Sequence, residues 1–185
     1  MLLFFCMMDL KKEILVIPQY DAVSINDNFT LKKDYTDILL NAFFVSKDIT
    51  KGNNTIRKIV PYVIYENKGK YLVTSYTKDN KKKLCLGTYD YIYNDYEFTN
   101  IQNYVLKYFD VKKIKFIGFV KDNLNYADHI GCVFLSHDKN FSHKIIKCKK
   151  YEWKTKQELI NQYGSYEKWS RNIIDGYILR KDLVF

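Results

Sequence analysis

Runs of apolar and β-branched residues, separated by polar turns, characterise the N-terminal part of the chain. Residues 13–18 (EILVIP) form a short apolar run that ends in proline, which predicts a buried or edge strand. Residues 43–45 predict a second strand, and apolar residues at helical spacing within 34–40 favour a short helix between the two. The chain is therefore expected to begin with strands and little helix.

Two longer β-rich runs follow, and a short turn joins them. Residues 59–65 and 70–76 flank a polar turn that contains Gly69, a pattern typical of a β-hairpin. The charged segment 78–83 is then predicted to form a turn. Beyond it, tyrosines alternate with other residues within 84–93, which predicts a half-exposed strand.

Helical periodicity appears next. Apolar residues at three-to-four spacing predict one amphipathic helix over 97–109. Strands are expected at 113–119 and 130–135, with a polar loop between them. Thr155, with Glu158 three residues later, forms a capping-box signature, so the C-terminal part is predicted to be helical.

The last helix is expected to start after a break. Gly164 is predicted to end the preceding helix, and Ser165 to cap the next one. The apolar face of that last helix would consist of Tyr166, Trp169, Ile173 and Tyr177. Strands, a central helix, more strands and closing helices together predict an α+β fold.

Length and composition agree with one compact domain. At 185 residues and 22.2 kDa, the chain is long enough to bury a core without disulfides or metals. We expect an N-terminal extension (1–55) packed on a core (59–150), followed by C-terminal helices (155–185). The apolar segment 1–8 is too short for a membrane span and lacks signal-peptide features, which predicts a cytoplasmic protein.

Cysteine and histidine positions indicate neither disulfides nor a zinc site. The four cysteines lie far apart and form no CxxC pair, so they are predicted to be free thiols. In a strand, His129 and Cys132 would point to opposite faces. No zinc-ligand spacing is matched by the set His129, Cys132, His137, His143 and Cys148.

The formal net charge of +9 has two interpretations. It favours an anionic partner, or it reflects a lysine-rich solvated surface. A base-stacking platform with a phosphate-attracting rim would consist of Tyr89, Tyr91, Tyr93, Lys81, Lys82 and Lys83. Alternatively, these aromatic side chains fill a pocket or line a homodimer interface. Abundant Lys, Asn, Ile and Tyr, which AT-rich codons encode, are typical of an AT-rich bacterium or its phage.

Three stretches of the sequence resemble the Nudix hydrolases, specifically the uncharacterised bacterial and phage branch of Nudix-type predicted phosphoesterases. The first combines IVPYVI (59–64) with KYLV (70–73), similar to that branch's opening hairpin. The second is FIGFV (116–120) followed by DHIGCVF (128–134), which resembles its strand, loop and "H-hydrophobic-G-x-V-F" strand. The third, EKWS (167–170), is similar to the start of its C-terminal helix. The resemblance implies a Nudix-type α/β/α sandwich with a mixed central sheet.

Active Nudix enzymes carry a box of sequence G-x5-E-x7-R-E-U-x-E-E-x-G-U, where U is aliphatic, and here its polar positions differ. An ungapped alignment that ends on Val111 places Val105 on the inner aliphatic position. The glycines become Tyr89 and Asp110, the arginine becomes Asn103, and the glutamates become Asp95, Tyr104, Lys107 and Tyr108. A shift of the loop by one residue would bring Asp90 to the first glycine.

The altered box implies lost chemistry. In the family, the box glutamates bind divalent ions, usually Mg²⁺, which neutralise a diphosphate and activate water. The resemblance therefore implies a catalytically inactive protein that binds a nucleotide-type ligand or a protein partner without a cofactor. One alternative is a divergent Mg²⁺-dependent hydrolase of nucleoside diphosphate derivatives that uses Asp90, Asp95 or Glu97. The other is a basic nucleic-acid-binding protein, whose binding would depend steeply on salt.

Overall fold

The computed structural model describes residues 12–26, 28–78, 81–94, 98–121, 128–138 and 150–181. Several sequence predictions concern residues outside these ranges. Asp95 and Glu97, the candidate carboxylates of a divergent hydrolase, lie outside them, and so do His143 and Cys148.

Strands make up most of the regular secondary structure among the described residues. They are β1 (Glu13–Pro18), β2 (Asn28–Leu31), β3 (Phe43–Ser46), β4 (Ile56–Asn67), β5 (Lys70–Lys78), β6 (Lys81–Leu86), β7 (Thr88–Tyr89), β8 (Lys115–Lys121), β9 (His129–Ser136) and β10 (Lys150–Thr155).

The helices are short. They are α1 (Thr36–Leu39), α2 (Ile101–Tyr108), α3 (Lys156–Asn161) and α4 (Lys168–Ile173), and α4 continues into a π-helical turn at Ile174–Ile178. Among the described residues, no helix combines the length and apolar character that a membrane span requires.

Strand β4 organises a mixed sheet. Along one edge it runs parallel to β9, from the pair Lys58 and His129 to the pair Tyr65 and Ser136. Along its other edge it pairs in turn with β1, β7 and β5, all antiparallel. The full order is β10-β5-β4-β9-β8-β2, with β3 beside β1 and β6 beside β5. The predicted α+β class with a mixed central sheet is confirmed.

Alternation along β4 and β9 sends side chains into two separate cores. Ile59 and Val63 face one core, which also contains Val105 of α2, whereas Val60 and Ile64 face the other, which contains Ile173 of α4. The sheet is therefore covered by α2 on one face and by α4 on the other. Its three N-terminal strands β1, β2 and β3 belong to the same sheet, and the division of the chain at 55 and 155 remains a prediction.

Gly131, in the stretch DHIGCVF (128–134), allows a close contact between β9 and α4. A Cβ on Gly131 would lie 2.5 Å from Cγ1 of Val120 and 3.0 Å from Cζ3 of Trp169. Trp169 itself is buried. The glycine thus leaves space for the indole ring against the sheet.

The predicted hairpin is confirmed, and the predicted strand after it is not continuous. Lys68 and Gly69 form the β4–β5 turn with φ of 50° and 72°, the left-handed pair that a two-residue hairpin favours. The strand expected over 84–93 breaks at Gly87, whose φ is 83° and where a Cβ would lie 2.1 Å from the Val63 carbonyl oxygen. Residues 81–83, predicted as a turn, instead belong to β6.

Helix boundaries differ from the sequence prediction where capping decides them. Helix α2 begins after Asn100, whose side chain accepts a hydrogen bond from the Asn103 amide, and not at 97. The Thr155 capping box is confirmed, although strand β10 precedes it. Ser165 does not cap the last helix, because Glu167 occupies the N-cap position.

Candidate ligand site beside helix α2

Two tyrosines of helix α2, Tyr104 and Tyr108, point toward the segment that follows β7. Val105 and Phe109 are fully buried and fix the helix on its core. Tyr104 and Tyr108 lie one turn apart on the helix, and their rings stack with centroids 5.2 Å apart and planes 13° apart. These are two of the three helix positions that the Nudix resemblance assigns to glutamate.

Both hydroxyl groups form hydrogen bonds with the segment that follows β7. The Tyr104 hydroxyl donates to the Tyr91 carbonyl at 3.2 Å and accepts from the Tyr93 amide at 3.4 Å. The Tyr108 hydroxyl donates to Oδ2 of Asp90 at 2.8 Å. Burial and the adjacent Asp90 carboxylate raise the pKa of Tyr108 well above its ordinary value, so this phenol stays protonated near neutral pH. The two rings therefore close the space between α2 and residues 90–93.

The described residues at this site do not match the oxygen set that Mg²⁺ binds. Asp90 contributes a carboxylate, but its oxygens already accept from the Tyr108 hydroxyl and from the Tyr91 amide at 2.8 Å. Lys107 and Asn103 are exposed on α2 and bring no carboxylate. Within the described ranges, no three His, Cys, Asp or Glu side chains lie close enough to hold one metal ion. Neutral phenols and an ammonium group are poor partners for a hard cation.

The backbone after α2 keeps a glycine-like conformation. Asp110 has a φ of 51°, in the left-handed region that glycine adopts without strain. Asp is among the few other residues that tolerate it. Asp110 occupies the position that the ungapped alignment gives to the last glycine of the box.

A hydrogen-bonded relay of Tyr91, His129 and Asp128 lies on the side of the sheet away from α2. Nε2 of His129 lies 2.8 Å from the Tyr91 hydroxyl, and its Nδ1 lies 2.5 Å from Oδ1 of Asp128. Burial lowers the pKa of His129, although Asp128 acts in the opposite sense. A neutral ring that donates from Nδ1 to the carboxylate accepts the Tyr91 proton at Nε2. Lys58, a buried lysine, forms an ion pair with Asp128 and compensates its charge.

The three tyrosines of the proposed stacking platform occupy different environments. Tyr89 stacks on Tyr62 with ring centroids 5.4 Å apart and also contacts Trp169. Tyr91 instead reaches His129 and packs at an edge against Tyr93. All three are half-buried, and Lys82 and Lys83 lie in β6, which pairs with β5. The side chain of Lys81 lies outside the described residues. Tyr91 packs against one apolar core together with Tyr89 and against another together with Tyr93, and the role of the three tyrosines in binding remains a prediction.

Sequence reasoning missed a polar cluster beneath α4. The Glu167 carboxylate accepts from the Tyr76 hydroxyl at 3.1 Å and from the Cys85 thiol at 3.2 Å. The Tyr62 hydroxyl lies 3.0 Å from the Ser170 hydroxyl within the same cluster. Burial raises the pKa of Glu167 above its ordinary value, although the surrounding donors act to lower it. The residues lie far apart in sequence, so no local motif predicted their meeting.

The expectation about His129 and Cys132 is confirmed. Cys132 is buried in the core on the α2 face with Ile130 and Phe134, and His129 points to the opposite side of β9, toward Tyr91. Burial raises the pKa of the Cys132 thiol strongly.

Comparison with known proteins resolves the fold. No family model matches the sequence, and no curated protein matches it. Among solved structures, Tm1382, whose assignment as a Nudix hydrolase is itself provisional, superposes with a TM-score of 0.74. The match covers 90% of this chain and 98% of Tm1382 at 20% identity. The chain has the Nudix fold.

Other Nudix structures match less of the chain. A Nudix hydrolase from Nitrosomonas europaea matches with a TM-score of 0.47 and 14% identity, over 70% of this chain and 96% of its own. A hydrolase of the Nudix family from Clostridium perfringens matches with a TM-score of 0.41 and 17% identity, over 70% and 99%. In this Nudix-fold chain, the candidate site comprises helix α2 and the segment after β7, the positions to which the sequence resemblance assigns the box.

Proposed function

We propose that this Nudix-fold protein does not catalyse metal-dependent hydrolysis and instead binds a nucleotide-type ligand or a protein partner. One observation carries the proposal: Tyr104 and Tyr108 stack on each other and direct their hydroxyls to the Tyr91 carbonyl and the Asp90 carboxylate. Under the Nudix resemblance, two metal-binding glutamates would stand at these positions.

The chemistry of the substituted groups supports the loss of activity. Metal-assisted attack on a diphosphate needs anionic oxygens that gather Mg²⁺ and lower the pKa of its bound water. Tyr108 stays neutral, because its pKa is raised. Lys107 carries a positive charge at the third helix position and would repel the ion. The helix is retained as a structural element while its acidic surface is absent.

Charge supports an anionic ligand. The chain carries 30 Lys and Arg against 21 Asp and Glu. A positive field raises the local concentration of nucleotides and of acidic protein surfaces alike. The protein would then act as a regulator or as a sequestering protein for such a partner.

Thermal unfolding in the presence of candidate ligands tests the proposal. The panel contains nucleotides, dinucleotides and ADP-ribose-type compounds, each with and without Mg²⁺, and the same samples are assayed for hydrolysis products. A ligand that binds the folded state raises the melting temperature. We expect stabilisation by at least one compound and no products in any sample.

Two other results of this assay would contradict the proposal. Mg²⁺-dependent turnover at ordinary enzyme rates, abolished in Asp90→Asn, Asp95→Asn or Glu97→Gln, would refute the inactive assignment and favour the divergent hydrolase. Absence of both stabilisation and turnover would refute the small-molecule form of the proposal and direct the search to protein partners. Exposed Tyr20→Phe provides a control variant, because its ring is 68% exposed and remote from α2 in sequence.

A further inference from the structure

A cavity of about 420 Å³ lies on the α4 face of the sheet, opposite the candidate site beside α2. It lies between the residues around β2 and the polar side of α4 with its π-helical turn. Side chains that define it include Asn26, Phe29, Tyr163, Lys168, Arg171 and Arg180. Its volume is within the range of small-molecule sites, roughly 300–1,000 Å³.

Positive charge in this cavity exceeds negative charge. Lys168, Arg171 and Arg180 contribute three cations, whereas Asp175 contributes one carboxylate. The Asp175 carboxylate already accepts a hydrogen bond from the Tyr163 hydroxyl. Across the described parts of the chain, none of the three cations forms an ion pair or a side-chain hydrogen bond. The cavity is therefore a concave surface with uncompensated positive charge.

Arg171 adds a second observation. Its Nε atom is buried and has no hydrogen-bond partner among the described residues. A buried donor without a partner destabilises a fold, so such groups are usually satisfied by protein, water or ligand. The guanidinium fork matches the paired oxygens of a phosphate group.

The walls of the cavity are shaped for a compact ligand. Gly176 lines it, and a Cβ at that position would lie 2.6 Å from Cβ of Phe29. The glycine therefore lets the Phe29 side chain approach the helix and close one side. Tyr163 provides a second aromatic side chain, and the amide of Asn26 adds donor and acceptor capacity.

We propose that this cavity is a binding site for a compact phosphate-bearing anion, with Arg171 and Arg180 as the principal phosphate ligands and Lys168 as a supporting cation. The site is separate from the one beside α2, and it does not depend on whether the protein is catalytically inactive. Arginine pairs of this kind hold an anion by charge-assisted, bidentate hydrogen bonds.

Calorimetric titration of the full chain, with a chelator to exclude divalent ions, tests this site. The probes are pyrophosphate and AMP, with adenosine as the uncharged control and citrate as an anion without phosphate. We expect pyrophosphate and AMP to bind, with affinity that falls as salt is raised, and adenosine and citrate to bind at least about tenfold more weakly.

Matched charge-removal variants locate the binding. Arg171→Gln and Arg180→Gln are each expected to weaken phosphate binding at least about tenfold. Lys51→Gln removes the same charge from a side chain that is 76% exposed, and it should change the affinity by less than about twofold. Arg180→Gln keeps the test decisive if Arg171→Gln fails to fold, because Arg180 is exposed.

Several results would overturn the assignment. They are absence of phosphate binding in the wild-type chain, equal binding of citrate, or an equal loss in Lys51→Gln. Nucleotide binding that persists undiminished in both arginine variants would reject this cavity and leave the proposed function intact. Turnover with Mg²⁺ would reject the proposed function and leave this site standing.

Discussion

Replacing Tyr104 by phenylalanine should measure how firmly α2 closes over residues 90–93. The substitution keeps the ring and its stack on Tyr108, but it removes the hydrogen bond to the Tyr91 carbonyl at 3.2 Å and the longer one from the Tyr93 amide at 3.4 Å. Tyr104 is only 7% exposed, so water replaces these bonds poorly. One good hydrogen bond and one weak one correspond to a loss of about 1–2 kcal/mol in the free energy of unfolding.

Urea denaturation with thermal melting provides the assay. For a chain of this size, that loss lowers the melting temperature by about 2–8 °C, and the dependence on urea should keep its slope. Tyr20→Phe removes an exposed hydroxyl and should change the free energy of unfolding by less than about 0.5 kcal/mol. If Tyr104→Phe were as stable as Tyr20→Phe, the hydroxyl would not hold the segment, and the closed site would be refuted. Tyr104→Glu, which buries a carboxylate, should destabilise more than Tyr104→Phe.

Three further substitutions have clear expected outcomes. The pKa of Glu167 is raised in the folded state, so the protonated side chain stabilises the wild-type protein below about pH 4, and this stability is lost as the pH rises through the folded-state pKa. Glu167→Gln lacks this titration and should become more stable relative to wild type as the pH rises. Melting temperatures of the two proteins that shift in parallel across pH would contradict this. Gly131→Ala should lower the free energy of unfolding by about 1–3 kcal/mol, measured in urea, since its Cβ would meet Val120 and Trp169. Asp110→Gly should be at least as stable as wild type and Asp110→Val clearly less stable in thermal melts, because only glycine relieves the positive φ; the reverse order would exclude strain at this position.

Elements whose signals are local could be predicted from the sequence. The apolar run 13–18 corresponds to β1, and the Thr155 capping box works as its spacing indicates. The β4–β5 hairpin follows from two β-rich runs and a turn with Gly69. In each case the residues that determine the element lie within a few positions of one another.

Features that depend on distant partners escaped prediction. The break at Gly87 arises because the Val63 carbonyl lies where a Cβ would stand, and Val63 is 24 positions earlier in the numbering. Hydrophobic spacing continues before the Asn100 cap, so periodicity alone predicts too early a start for α2. Strand β2 carries a weak pattern and is specified by its pairing with β8.

The candidate site also combines features that the sequence predicts with features that depend on distant contacts. The substitution of Tyr104, Lys107 and Tyr108 for box glutamates could be read from the sequence through the Nudix resemblance. The direction of the two tyrosine hydroxyls toward residues 90 and 91 required coordinates. Lys168, Arg171 and Asp175 recur at helical spacing and indicate a polar helix face, but the cavity also requires Asn26 and Phe29, which lie far away in the sequence.

Cys85 and Cys132 are both buried, and they lie on opposite sides of the sheet, the first under α4 and the second under α2. Burial raises the pKa of each thiol, so neither reacts readily with an alkylating reagent while its own core stays closed. With Cys6 and Cys148 replaced by serine, the two labelling rates would report separately on transient opening of each layer. Equal rates would show that the two layers open in one cooperative event, and unequal rates would show which layer separates first. The chain thus carries a native kinetic probe on each side of its sheet.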